Sequence, residues 1–155
     1  MSEDEILDER TALYASTEQA TRLGVRCLRV ALGQREWLFP ETDVRSLLSE
    51  NAICALPPGV RWAGYHCVGL LSHAMTPLPV LCWGELAGYR ALDSDQEVAL
   101  LLLSGAGIAL RVPGPVGMRL RQLSELGPDD HSWSQGRTGE GESVADLGRL
   151  TGAAG

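Results

Sequence analysis

The run V68-G-L-L-S-H-A-M-T-P-L-P-V-L-C-W-G-E-L-A-G88 decides the fold. It reads as an extended segment, a break at Ser72 to Thr76, and a second extended segment carrying Pro77 and Pro79. Two strand-like runs around a short polar break predict a β-hairpin. The break also holds Ser72 and His73, with Cys82 further on, so the same residues invite a chemical reading.

The flanking sequence repeats the hairpin theme. Leu28, Val30 and Leu32 alternate with Arg29 and Ala31, "GQRE" makes a turn, and "WLFP" resumes an extended run. "EVALLLL" and "IALRVPG" form another pair around "SGAG", where Gly105 and Gly107 suit the positive φ of a tight turn. "ETDVRSLLSE" has Val44, Leu47 and Leu48 at spacings of three and four. That predicts two turns of helix, capped by Thr42 or Asp43. Pro57 and Pro58 then break the chain, and "ALDSDQ" reads as a surface loop. Short strands separated by turns indicate a mainly β fold, a barrel or sandwich.

The ends differ from this middle. Ser2 and Glu5 match a capping box, and Ile6 with Leu13 and Leu7 with Tyr14 share a helical stripe. Residues 1–23 are therefore expected as an N-terminal helix or tail. Beyond Leu126 the chain is rich in Gly, Ser and acids. Residues 127–155 are expected to be a disordered tail, in which Trp133 and the "VADLGRL" patch with Val144, Leu147 and Leu150 are the parts able to dock. The domain proper is expected to span residues 24–126.

Composition excludes several functions. A net charge of -7 without a basic patch argues against nucleic acid, whose phosphates need clustered Lys and Arg. The longest apolar stretch, Val98 to Leu110, is too short to span a bilayer, and the acidic start is not a secretory signal. A cytoplasmic protein without membrane insertion is expected. Aromatics are only 5% of the 155 residues, so the core is expected to rest on Leu, Val and Ala. Cys27, Cys54, Cys67 and Cys82 lack CxxC spacing and read as reduced, mostly buried thiols.

No catalytic constellation emerges. Ser72 lacks the flanking glycines of a nucleophile elbow, and His73, its neighbour on a strand, would point to the other face. His66, Cys67, His73 and Cys82 are the candidate zinc ligands, but adjacent His66 and Cys67 diverge on a strand. Asp93, Asp95 and Glu97 lie in a polar run without a shaped pocket. No Gly-rich loop opens a helix as in a phosphate site. No enzyme, cofactor or metal is expected.

The stretch "GLLSHAMTPLPVLCW" resembles the central signature of the CheW-like domain, a run of the form G-V-I-N-L-R-G-x-x-V-P-V-I-D-L. Gly69 falls on its first glycine and Pro79 on its proline, and Gly88 closes the run. Ser72 stands where Asn is usual, Ala74 where Arg is usual, Met75 at the turn glycine and Cys82 where Asp is usual. Upstream, "LRVALGQREWLFPETDVRSLL" and the link "ALPPGVRW" follow the family's opening hairpin, short helical segment and proline link. Downstream, "SGAGIALRVPGPVGMRLRQL" matches at Val112, with Pro113 replacing an acidic residue. The resemblance covers about Val25 to Leu126.

The resemblance implies two small five-stranded β-barrels with short helices, packed side by side with a groove between them. It implies a non-enzymatic adaptor that couples receptors to a CheA-type histidine kinase, in chemotaxis or in pilus-driven twitching motility. Its partners would be the regulatory domain of a CheA-like kinase and the cytoplasmic tip of a chemoreceptor. The break Ser72, His73, Ala74, Met75 and Thr76 is the expected partner-binding turn. Because Met disfavours positive φ, that turn is expected to differ from the family's glycine turn. The alternative reading is a diverged β-barrel module that binds a small ligand or another regulatory protein.

Overall fold

The structure, a computed structural model, describes residues 24–49, 53–89 and 98–150. The expected N-terminal helix, the "ALDSDQ" loop and Asp93, Asp95 and Glu97 lie outside the described residues.

Twelve strands are described: β1 (Val25–Leu32), β2 (Arg35–Pro40), β3 (Val44–Ser49), β4 (Ile53–Ala55), β5 (Arg61–Trp62), β6 (Tyr65–His73), β7 (Thr76–Cys82), β8 (Val98–Leu103), β9 (Ala109–Pro113), β10 (Gly117–Arg121), β11 (Ser134–Arg137) and β12 (Ser143–Ala145). A single helical turn, α1 (Trp83–Leu86), follows β7. One sheet runs β10-β1-β2-β12-β11. The other runs β3-β8-β9-β7-β6-β4, with β5 added against β6. The fold is therefore mainly β, with one sheet of five strands and one of seven.

Period-two alternation distributes the apolar side chains over three layers. Leu28, Val30, Trp37, Phe39, Leu81, Leu101 and Leu110 face a central core shared by both sheets. Val80, Leu100 and Ala109 turn to the outer face of the seven-stranded sheet, where Leu48, Ile53 and Leu78 cover them. Cys27 and Leu38 turn to the outer face of the five-stranded sheet. Strands apolar on both faces explain the unbroken "ALLLL" of β8. Few as they are, the aromatic residues hold the middle. Trp83 packs edge-on against Trp37, Phe39 and Trp133, with ring centroids 5.1, 5.0 and 5.8 Å apart. The core thus rests on a tryptophan cluster as well as on Leu, Val and Ala.

Two expectations are corrected. Val44 to Ser49 is a strand, not a helix. Only a 3-10 turn, Glu41–Asp43, precedes it, and β3 pairs with β8 with a bulge between Val44 and Ser46. The bulge lets Val44 reach the central core while Leu48 packs on the outer layer.

The second correction concerns the tail, because residues 127–150 are structured. β12 pairs in parallel with β2, and β11 pairs with β12, so this segment supplies two of the five strands of its sheet. Trp133, Leu147 and Leu150 enter the central core, and Val144 packs with Cys27 and Leu38.

Polar pairing explains how so polar a segment folds. The Asp129 side chain is almost fully buried. It accepts hydrogen bonds from Ser143 (2.6 Å) and Arg35 (3.1 Å). Burial opposes its charge, but hydrogen bonds from Ser143, Ser134 and Arg35 outweigh that and hold its carboxyl well below the usual carboxylate range. Buried Glu142 accepts from Arg121 (2.6 Å) and Thr138 (2.9 Å). His131 donates from Nε2 to the Ala87 carbonyl (2.9 Å) and accepts the Trp133 N–H at Nδ1 (3.1 Å), which ties the segment to α1.

Candidate functional site: the β6–β7 tip and the β10 edge

Among the described residues β6 and β7 form the longest hairpin, in register from His73↔Thr76 to Gly69↔Val80, with a bulge before Cys67↔Leu81. β4 pairs with β6 only as far as Leu71, and β9 pairs with β7 only from Val80. Among the described residues, the last part of the hairpin therefore projects beyond its neighbours as a two-stranded ribbon. Gly69 allows β4 to approach at the ribbon's base: a Cβ there would lie 2.5 Å from Ile53 and 2.9 Å from the Cys54 carbonyl.

Ala74 and Met75 alone make the turn, with φ of 49° and 64°. Two consecutive residues in the left-handed region are the signature of a type I′ turn, whose twist suits a two-residue hairpin. The expectation that Met75 would avoid positive φ is corrected: the ladder from His73↔Thr76 onward imposes the turn, and both non-glycine residues accept the strain.

The two prolines fit this register. In a two-residue hairpin the flanking pair is hydrogen-bonded and pairs then alternate, so the missing N–H groups of Pro77 and Pro79 would face away from β6. Pairing with β6 is intact, and the ribbon's free edge loses donors that could recruit another strand.

Of the five expected contact residues, Ser72, Ala74, Met75 and Thr76 are exposed and His73 is half-buried. Met75 is 99% exposed. The structure brings these five together at one tip. It does not bring Ser72 or His73 to Cys82, which is buried at the other end of β7, about 20 Å away at strand rise. His66 and Cys67 lie at the opposite end of β6 from His73. His66 donates from Nδ1 to Glu85 of α1 (2.7 Å), and the Cys67 thiol points to the Gly69 carbonyl. Among the described residues no three His, Cys, Asp or Glu side chains are grouped to hold a metal. Cys27, Cys67 and Cys82 are buried and Cys54 is exposed. Burial, and then the Glu142 carboxylate, push the Cys27 thiol up to about 11.

Sequence reasoning missed a second exposed apolar strip. β10 is an edge strand, and Met118 and Leu120 on it are 42% and 49% exposed. Met118 lies opposite Leu28 and Leu120 opposite Arg26, so both point to the central-core side of the sheet at its rim. The alternation Met118-Arg119-Leu120-Arg121 was the available signal. Only the topology shows that its apolar face lacks cover among the described residues.

These features define a two-sheet β protein with a CheW-like fold. Its described surface offers a projecting hairpin tip and an apolar sheet edge. The solved structure of the scaffolding protein TtCheW from Thermoanaerobacter tengcongensis superposes on it with a TM-score of 0.62, covering 80% of this chain and 85% of that one at 14% sequence identity. No protein-family model and no curated protein matches the sequence. Among the described residues no helix is long and apolar enough to cross a membrane.

Proposed function

We propose that this chain is a non-enzymatic, cytoplasmic adaptor in a chemosensory signalling array. It docks on the regulatory domain of a CheA-like histidine kinase and on the cytoplasmic tip of a chemoreceptor, in chemotaxis or twitching motility. The observation that carries the reading is a CheW-like fold whose most exposed large apolar side chain, Met75, sits at the tip of a projecting hairpin. An unbranched thioether on a projecting ribbon is adaptable contact surface. Ser72, His73, Ala74 and Thr76 frame it, and Met118 with Leu120 offers a second contact.

Titration calorimetry of the full chain against the kinase regulatory domain and a receptor-tip fragment from the same organism tests this. Transient signalling contacts are modest, so a Kd on the order of micromolar is expected. Met75→Asp is expected to weaken the engaged partner by roughly tenfold, the loss of one anchor. Absence of binding to both partners would refute the adaptor reading. Unchanged affinity in Met75→Asp would move the contact away from the tip.

A further inference from the structure

β5 and β6 place Arg61 directly opposite His66, so the two side chains are cross-strand neighbours on one face. From α1, Glu85 reaches the same imidazole and accepts its Nδ1–H at 2.7 Å. The three line one cleft of about 330 Å³, walled by Tyr65, Leu86 and Trp133. The Tyr65 and Trp133 rings meet edge-on there, with centroids 5.7 Å apart.

The charges in this cleft are arranged unusually. Arg61 has no hydrogen-bond or ion-pair partner among the described residues, although Glu85 shares the cleft. The His66 imidazole takes one oxygen of Glu85, and the other has no partner among the described residues. A cation and an anion thus line one cleft with an aromatic wall, and among the described residues they form no ion pair with each other. The complementary ligand is dipolar: a carboxylate for the Arg61 guanidinium, an ammonium for the free Glu85 oxygen, and an apolar side chain for Tyr65, Leu86 and Trp133. We infer that the cleft between β5, β6 and α1 binds a free α-amino acid with an apolar or aromatic side chain.

The cleft volume falls at the lower end of the range for small-ligand pockets, which suits a ligand of that size. The inference is independent of the adaptor reading, since it uses no residue of the hairpin tip or the β10 edge.

The test uses the full chain with nitrogen-labelled tryptophan and follows the Trp133 indole by NMR during titration with L-phenylalanine. A saturable shift is expected. L-phenylalaninamide, which lacks the carboxylate, and N-acetyl-L-phenylalanine, which lacks the ammonium, are each expected to bind roughly tenfold more weakly, as are Arg61→Ala and Glu85→Gln with the parent ligand. Both side chains lie at the surface, so the variants are expected to keep the wild-type unfolding midpoint. The unfolding measurement separates loss of binding from loss of fold. A Trp133 signal that does not saturate with L-phenylalanine overturns the inference. Equal affinity for the amide or the acetylated analogue also overturns it, because the cleft would then be reading only the aromatic ring.

Discussion

The C-terminal segment and the β6–β7 tip invert the usual link between hydropathy and burial. Residues 127–150 are polar and acidic in sequence, yet Glu142 is 2% exposed and the Asp129 side chain 1%. The tip carries a methionine that is 99% exposed. What separates them is the supply of partners. Arg35, Ser143, Arg121 and Thr138 already face the two carboxylates, so burying them leaves charge-assisted hydrogen bonds in place of water. Met75 sits where the ribbon has outrun β4 and β9, and nothing described is near enough to cover it.

The largest test of this comparison is deletion. A chain ending at Leu126 would lose Trp133, Val144, Leu147 and Leu150, whose burial is worth about 8 kcal/mol at roughly 2 kcal/mol each. That is comparable to the whole stability of a domain this size. The truncated chain is expected to lose cooperative unfolding in a circular-dichroism melt. A sharp transition near the full-length midpoint would show that the segment merely rests on the surface.

A smaller loss isolates the polar pairing. Asp129→Asn keeps the shape but leaves Arg35 without its buried anion, an expected cost of about 2 kcal/mol at neutral pH, because Arg35 is partly solvated. The Asp129 carboxyl titrates lower in the folded chain than in the unfolded one. Its contribution is therefore present above about pH 4, the unfolded value, and fades as pH falls toward the folded one. Wild type and Asp129→Asn are expected to converge in urea unfolding as the pH is lowered below about 4. A gap independent of pH would assign the effect to packing instead.

The same contrast explains what could be read in the sequence. The β1–β2 and β8–β9 hairpins were legible because Leu28, Val30 and Leu32 alternate and because Gly105 and Gly107 mark their turn. Both glycines do have positive φ. β3 was not legible, since Val44, Leu47 and Leu48 fit a helical face as well as a bulged strand, and only pairing with β8 decides between them. The C-terminal segment was hidden for a different reason. Composition counts apolar residues but cannot see that Arg35 and Arg121, about 94 and 21 positions from their acidic partners, lie opposite them. Only β1, β2 and β10 of the five-stranded sheet precede residue 126, and its other two strands come from the C-terminal segment. The tip residues were found as a turn from Ser72 to Thr76, but nothing in their pattern signalled that Ala74 and Met75 alone would make it.

Met75 makes no buried contact that glycine would remove, and its φ of 64° strains any side chain. Met75→Gly is expected to raise stability by about 0.5–1 kcal/mol, the relief of a left-handed residue less the added freedom of the unfolded chain. A lower urea midpoint in Met75→Gly would mean that the thioether is covered and that the tip is not free surface.

The smallest expected effect asks whether partners, and not burial, decide the worth of a carboxylate. Asp43 lies at the end of the 3-10 turn, in a cavity of about 180 Å³ shared with Ser104, Gln135 and Asp146. Among the described residues it has no arginine comparable to Arg35. Burial, and then the charge of Asp146, raise its pKa. The sign is therefore opposite to that of Asp129. The folded chain holds the Asp43 proton more tightly than the unfolded chain, so its contribution is most favourable at low pH and falls as pH rises through the folded value. At neutral pH the ionised group opposes folding. Asp43→Asn is expected to stabilise the chain there, by no more than about 0.5 kcal/mol because the group is only partly buried. The gain should shrink as the pH falls and Asp43 protonates. Parallel urea titrations of wild type, Asp43→Asn and Asp129→Asn at neutral pH and near pH 4 would place the two carboxylates side by side. If Asp43→Asn destabilises the chain at neutral pH, the ionised Asp43 has found a donor in solution, and the contrast between a partnered and an unpartnered carboxylate in one fold collapses.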